Sequence, residues 1–266
     1  MERALIAHVE IKQGIRVAFN HEQFLPYFEP QVDLSTGKIV GFEMLARWSH
    51  PLSGLITPET FIPVAEEYGL IARLSEQVIA AALADIAKWD PALTLAVIIS
   101  PMQLADPWLA QQFIRLLTEA GIAPERLVVD ITESSLFTDL ELARSIATSL
   151  KNQGIRLALD DFGTGLSSLS HLRSLPFDVI KIDRSFTATI NHDSESAAIV
   201  RAVASLASAI NVPVVVDGIE DAATHATVLG YGCEMGQGWY FGTPMSADQA
   251  EQLIKRVPAA AQPHRA

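Results

Sequence analysis

This sequence predicts a fold of the α/β class, a TIM-type (β/α)8 barrel with one antiparallel strand near the N-terminus. The chain has 266 residues, which is close to the usual size of such a barrel. Hydrophobic residues make up 49% and charged residues 19%, so there is enough apolar material for one large core. After about residue 90, strand-like and helix-like stretches alternate, as they do around a parallel sheet.

The repeating part of the chain supplies most of the predicted barrel. Short β-branched or apolar runs predict strands at Thr94–Ile99, Leu127–Ile131, Ile155–Leu159, Val179–Ile182 and Val212–Val216. Helical stretches separate most of these runs, at Pro107–Ala120, Leu140–Asn152, Ser194–Ile210 and Ala222–Leu229. Strand–helix units repeated over this length predict a parallel sheet closed into a barrel.

The N-terminal part is less regular. A helix is predicted at Glu10–Asn20, followed by strands at Phe24–Asp33 and Ile39–Trp48. The turn Ser35–Lys38 between these strands is too short for a crossover and predicts a hairpin, hence an antiparallel strand within the barrel. Without a linker or internal repeat, we expect a single domain at residues 1–257 and a flexible tail at 258–266.

Bulk composition excludes several classes of function. The net charge of −12 disfavours binding to a nucleic acid polymer or to an anionic membrane. The single cysteine, Cys233, excludes a disulfide within the chain and fits a cytoplasmic protein. No apolar run reaches the ~18 residues of a membrane span. The start, Met1–Arg3, lacks the layout of a secretory signal.

Acidic residues collect at the predicted strand ends, where barrels of this type place their active sites. They are Asp130 and Glu133, Asp160 and Asp161, Asp183 beside Lys181, Asp217 and Glu220, and Glu43 within its strand. Taken singly, each could be a helix N-cap or a partner of a lysine. Together they would repel one another unless a cation neutralised them. Oxygen ligands favour Mg²⁺, Mn²⁺ or Ca²⁺, and the histidines and cysteine show no zinc spacing.

The stretch Asp160–Ser168 is the strongest local signal. Two acids end a buried strand, and a Gly/Ser-rich loop follows them. Such a loop can bring backbone N–H groups close to a phosphate or allow the segment to move. An ordinary strand–helix connection is the alternative, but it needs neither the doubled acid nor two glycines.

These motifs resemble the EAL family, whose members bind and often hydrolyse the bacterial second messenger cyclic di-GMP. The resemblance extends over almost the whole chain, to about Met245, with the motifs in the family's order. They lie at Glu43–Pro51, Phe61–Glu67, Asp130–Ser134, Asp160–Ser168, Lys181–Asp183 and Gln237–Gly238.

The resemblance implies a role for each site residue. Divalent Mg²⁺ or Mn²⁺, with Ca²⁺ as a possible inhibitor, would be held by Glu43, Asp130, Asp160, Asp161 and Asp217. The catalytic set would be Glu43, Lys181, Asp161, Glu133 and Gln237, with Lys181 orienting the attacking water and Glu133 holding the loop after Asp161. The nucleotide would be bound by Arg47, Leu45, Glu29, Asp183 and Gly163, with Arg47 on a phosphate.

Departures from the family pattern concentrate at the metal positions. Ile98 replaces a metal-binding Asn, while Asp130 and Asp217 each replace a Glu. Nearby, Glu29 replaces the Gln that usually precedes the first strand's Pro. Shortening Glu to Asp draws the carboxylate back by about 1.5 Å, one C–C bond, and Ile98 offers no ligand atom. Turnover should suffer more than nucleotide binding, because ~1 Å of misplacement can cost about a hundredfold in rate.

Three hypotheses follow. The first is a receptor that binds cyclic di-GMP with weakened or lost hydrolysis to pGpG. The second is an active phosphodiesterase in which water replaces the missing ligand. The third is a protein-interaction module without nucleotide. The resemblance also implies a homodimer and a neighbouring sensor or GGDEF domain in the parent protein.

Overall fold

The computed structural model describes residues 2–137, 140–163 and 175–256. The tail predicted at 258–266 and residues Thr164–Ser168 of the predicted loop lie outside these ranges. The strands are β1 Phe24–Asp33, β2 Ile39–His50, β3 Gly54–Ile56, β4 Thr94–Ile98, β5 Leu127–Thr132, β6 Arg156–Phe162, β7 Val179–Ile182, β8 Val214–Val216 and β9 Met235–Gln237.

Helices lie between most of the strands. They are α1 Glu2–Asn20, α2 Pro58–Glu67, α3 Ile71–Ile86, α4 Pro101–Leu104, α5 Leu109–Ala120, α6 Leu140–Asn152, α7 Arg184–Thr187, α8 Ser194–Ala209, α9 Ala222–Gly230 and α10 Ala247–Arg256. Short 3₁₀ turns at Pro124–Arg126 and Glu133–Phe137 flank β5. None of the helices in the described ranges is both long enough and apolar enough to cross a membrane.

Eight of the strands close into one barrel. The order around it is β1-β9-β8-β7-β6-β5-β4-β2, and β1 also pairs with β2 to complete the ring. Strand β1 is antiparallel to both of its neighbours, whereas the pairs from β2–β4 round to β8–β9 are parallel. The predicted TIM-type barrel with one antiparallel strand near the N-terminus is therefore confirmed.

Among the residues that the structure describes, buried apolar side chains form two separate clusters. The larger one lies between the barrel and its helices and includes Phe42, Val129 and Leu157, each with no exposed surface. The smaller one lies inside the barrel and consists of Ala96, Val128, Ala158, Val179 and Val215. Since alternate residues of a strand face opposite sides, Val128 belongs to the inner cluster and Val129 to the outer one.

The sequence patterns did not predict two of the strands, and they misplaced several strand boundaries by one to three residues. β9 has only three residues, with Gly236 at its centre, and β3 has three residues that follow a turn. Runs so short carry no readable period of two. β8 begins at Val214 rather than at the predicted Val212, and Pro213 in between has no N–H for a strand ladder.

Candidate metal centre

A buried ionic cluster lies inside the barrel near the C-terminal ends of the parallel strands. The ammonium of Lys181 donates hydrogen bonds to Glu43 Oε1, to Asp130 Oδ2 at 2.7 Å and to Asp160 Oδ2 at 3.4 Å. All four residues are buried, and Asp130 has no exposed surface at all. The predicted convergence of carboxylates from different strands is therefore present, with a lysine at its centre.

Strand register brings these residues together. On β2, Glu43 lies opposite Ala96 of β4, and on β5, Asp130 lies opposite Ala158 of β6. Asp160 lies two residues beyond Ala158, on the same face of β6. Each carboxylate therefore stands on the inward face of its own strand, directly above the inner apolar cluster.

Charge within this cluster is unevenly distributed. Burial pushes the pKa of Glu43 upward, but the Lys181 ammonium outweighs it and leaves that pKa below its usual range. Burial raises the pKa of Asp130 well above its usual value, with the charges of Asp160 and Glu43 adding to the shift. Burial alone would lower the pKa of Lys181, but the surrounding carboxylates raise it. A charged lysine and an ionised Glu43 therefore coexist with a carboxyl at Asp130 that resists ionisation.

A chain of amides fixes the second oxygen of Glu43. Gln237 Nε2 donates to Glu43 Oε2 at 2.7 Å, and Gln31 Nε2 donates to Gln237 Oε1 at the same distance. Gln237 is fully buried. Sequence reasoning missed Gln31, although a glutamine between Pro30 and Val32, both buried, was a readable signal.

The end of β6 is strained. Asp161 has a φ of +57°, and the pairing of β6 with β7 slips between Leu159 and Phe162. For a residue with a side chain this conformation is costly, and such strain is common at functional sites. Asp160 Oδ1 accepts the N–H of Asp161 at 2.9 Å, so Asp160 also holds the strained turn.

Glu133 and Asp183 flank this strained turn. The buried carboxylate of Glu133 accepts the N–H of Gly163 at 3.3 Å, which fastens the first residue of the following loop. Asp183 caps α7 through the N–H of Ser185 at 3.0 Å. Burial raises the pKa of Asp161 to about 6, and the negative charges of Asp160 and Asp183 add to the shift.

Two more acids border the cluster. Glu29 of β1 lies opposite Glu43 of β2, and burial raises its pKa to about 8, with repulsion from Glu43 and Asp217 contributing. Asp217 directly follows β8, and burial and the charge of Glu43 raise its pKa to about 6. The compact triad of possible metal ligands in the described ranges does not include Asp161 or Asp217, so their assignment as ligands stays a prediction.

The predicted nucleotide contacts lie on the same side of the barrel. Arg47 is half-buried, and its guanidinium donates to the carbonyl of Ala46 at 2.9 Å and faces the ring of Tyr27 at 5.7 Å. Leu45 lines a cavity of about 350 Å³ between the ends of β2 and β4 and the helices α2 and α3. Ile98 also lines this cavity with 41% of its surface exposed, so an alkyl group stands at the end of β4.

Glu43, Asp130 and Asp160 fit a divalent metal. One carboxylate oxygen from each lies within 4.8 Å of the others, and Asp130 Oδ1 is buried without a hydrogen-bond partner. A hard cation such as Mg²⁺ or Mn²⁺ prefers such oxygen ligands. The donors present can hold one ion, provided that Lys181 yields part of the space its ammonium takes among the three carboxylates.

Comparison with protein families gives one match over most of the chain. The EAL domain model matches residues 12–244. A signalling protein of Caulobacter vibrioides is 42% identical over 90% of this chain. A Pseudomonas aeruginosa protein described as a cyclic di-GMP phosphodiesterase is 34% identical over 96% of it. The chain spans only 29% and 43% of the lengths of these two relatives.

Solved structures of similar fold come from the same family. The phosphodiesterase MucR in complex with cyclic di-GMP has a TM-score of 0.88 and 35% identity, covering 91% of this chain and 99% of that one. The FimX EAL domain of Pseudomonas aeruginosa bound to cyclic di-GMP has a TM-score of 0.82 and 26% identity, covering 88% and 96%.

Proposed function

The chain belongs to the EAL domain family, and we propose that it binds cyclic di-GMP but hydrolyses it to pGpG weakly or not at all. Relatives of this chain are described as cyclic di-GMP phosphodiesterases, and similar structures contain the dinucleotide. Binding is supported by Arg47 and the cavity beside Leu45, which lie on the same side of the barrel as the buried cluster. An ester phosphate suits a guanidinium, which can donate two parallel hydrogen bonds to it.

Weak hydrolysis is supported chiefly by the residues at the metal positions. Ile98 has no ligand atom where the family has an oxygen ligand, and Asp130 and Asp217 are each one methylene shorter than the Glu of the family pattern. The ammonium of Lys181 contacts all three carboxylates of the candidate metal centre, so an ion would have to share these oxygens with it.

The metal would supply Lewis acidity and lower the pKa of a bound water. The remaining roles fall to side chains of this chain. Glu43, Asp130 and Asp160 would hold the ion, and Gln237 would keep Glu43 in one orientation. Lys181 would orient the attacking water, and Glu133 would hold the backbone of Gly163 in place. Asp161 and Asp217 would complete the ligand set, and Glu29, Asp183 and Gly163 would contact the nucleotide.

An active phosphodiesterase is the second candidate, favoured by one observation. Asp130 Oδ1 is buried and unpartnered, and an unsatisfied carboxylate oxygen inside a protein is costly unless a cation or a proton satisfies it. If a metal occupies that position in solution, Lys181 would move aside and turnover would follow. The interaction module without nucleotide would leave Arg47 and the cavity unexplained.

Calorimetry with cyclic di-GMP tests binding of the dinucleotide. It is done with Ca²⁺ present, because we expect this ion to block turnover. We expect a dissociation constant in the micromolar range or below, and at least a tenfold loss in Arg47→Gln. Arg144→Gln on the exposed face of α6 is the matched control and should bind like the wild type. Absence of binding at about 100 μM dinucleotide would reject the proposal.

We further propose that the chain acts in the cytoplasm, as a homodimer, and beside a sensor or GGDEF domain in the parent protein. The neighbouring domain is supported by the lengths of the relatives, one of which is described as a bifunctional diguanylate cyclase and cyclic di-GMP phosphodiesterase. Light scattering at several protein concentrations tests the dimer, and a constant monomer mass contradicts it.

A further inference from the structure

We propose that the N-terminal end of the barrel holds a second binding site, which takes a small amphipathic carboxylate. Its apolar body would lie among the alanines and valines inside the barrel, and its carboxylate would pair with Arg156. This site would be entered from the end of the barrel opposite to the candidate metal centre.

A cavity of about 810 Å³ opens at this end. Its mouth is formed by the first residues of strands, among them Thr94, Arg156, Val179 and Met235, and by the link before β8 at residues 211–213. Its volume lies within the range of roughly 300–1,000 Å³ that is usual for small-molecule sites. Barrels of this type normally fill their interior with bulky branched side chains.

The cavity exists because the side chains of the inner wall are small. The inner wall consists of the cluster Ala96, Val128, Ala158, Val179 and Val215. Two of these five residues are alanines, so the layer lacks the volume that leucine or isoleucine would supply at those positions. An apolar wall of this kind favours the hydrocarbon part of a ligand over water.

Arg156 gives the mouth its chemical preference. It is half-buried on the inward face of β6, two residues below Ala158. Across the described ranges, its guanidinium has no hydrogen bond or ion pair. A partly desolvated guanidinium without a partner is a ready donor for a carboxylate.

The acids around the mouth are mostly engaged. Asp33 accepts hydrogen bonds from Ser35 and Thr36 in the β1–β2 turn. Asp178 is paired with Lys151 at 2.5 Å and accepts the N–H of Leu157. Glu234 is the remaining acid of the mouth and is exposed to solvent, where its charge is screened. Hydrogen bonds do not cancel the charge of Asp33, so the preference for a carboxylate rests on the unpartnered guanidinium of Arg156.

The deep end of the cavity touches Asp130 and Lys181 from below. Lys181 donates a hydrogen bond to Asp130 Oδ2 at 2.7 Å, so an ion pair closes the deep end of the cavity, while Asp130 Oδ1 has no hydrogen-bond partner. The apolar tail of a ligand can pack against the alanines and valines of the inner wall, while its charged head stays at the mouth of the cavity. This arrangement selects a ligand with a single charged end.

Octanoate, followed by calorimetry and by thermal shift, is the probe for this site. We expect millimolar or tighter binding to the wild type, with at least a tenfold loss in Arg156→Gln. Arg144→Gln, which changes an exposed arginine on α6, should bind octanoate like the wild type. Octan-1-ol, which has the same tail without the charge, should bind at least tenfold more weakly.

A second variant fills the cavity itself. Ala158→Leu adds volume on the inner wall and should abolish octanoate binding while the circular dichroism spectrum stays native. If that variant does not fold, Arg156→Gln still decides the matter. The proposal is overturned if octanoate fails to bind at about 10 mM, if it binds Arg156→Gln as tightly as the wild type, or if octylammonium binds more tightly than octanoate. Binding of cyclic di-GMP by Arg156→Gln measures the other end of the barrel separately.

Discussion

At the C-terminal end of the barrel the interior is filled by charged and amide side chains, whereas one layer lower it is lined by alanine and valine. The upper layer binds itself together through Lys181, Gln237 and three carboxylates. The lower layer leaves a cavity of about 810 Å³. The upper layer is therefore costly to disturb because its charges are buried, and the lower one is tolerant because it is not fully packed.

Removing the central cation should have the largest effect. Lys181→Met would leave Glu43, Asp130 and Asp160 buried without their counter-charge, which typically costs about 3–5 kcal/mol of unfolding free energy. Denaturation with urea at neutral pH measures it. Lys255→Met, which breaks an exposed pair with Glu251, is the control and should leave the urea midpoint unchanged within error. A loss below ~1 kcal/mol for Lys181→Met would show that the cluster is not held by this lysine.

Neutralising Glu29, the acid beside the cluster, should have the next largest effect on the free energy of unfolding, and this effect depends on pH. Glu29 has a pKa of about 8 in the folded state against 4.5 normally. The unfolded chain therefore releases this proton near pH 4.5 while the folded protein keeps it until about pH 8. The stability associated with Glu29 is present below pH 4.5 and is lost as the pH rises to 8.

Glu29→Gln removes this titration and should stabilise the protein at high pH. Relative to the wild type, we expect the variant to gain about 2–4 kcal/mol between pH 5 and pH 9, since each pKa unit is worth ~1.4 kcal/mol. Urea midpoints measured across that range give the difference. A constant difference at every pH would mean that Glu29 is ionised throughout.

Two neighbouring valines test the packing side of the comparison. Val129 is fully buried between barrel and helices, whereas Val128 lines the inner cavity. Val129→Ala should cost about 2–3 kcal/mol and Val128→Ala about 1 kcal/mol, because atoms beside an existing void lose fewer contacts. Equal losses in thermal or urea unfolding would indicate that the interior closes up in solution.

Much of the upper layer could be read from the sequence, and the lower layer could not. Asp130 and Asp160 end strands whose β-branched runs are long enough to be recognised, and motif order placed Glu43 and Lys181 beside them. That Lys181 would contact all three carboxylates depends on the register between strands, which no single segment encodes. Gln31 escaped notice because its contact with Gln237 depends on β1 lying beside β9, a pairing that only closure of the barrel creates. The cavity is a sum of side-chain volumes from many strands, and only closure of the barrel determines that sum.

Turnover of cyclic di-GMP with Mn²⁺ tests the central claim most directly. Chromatography over several hours compares the wild type with a triple variant that carries Ile98→Asn, Asp130→Glu and Asp217→Glu. We predict little or no pGpG from the wild type and at least a tenfold higher rate from the triple variant, because the three substitutions restore oxygen ligands for the metal. Rapid pGpG formation by the wild type, unchanged or slowed by the three substitutions, would contradict the account.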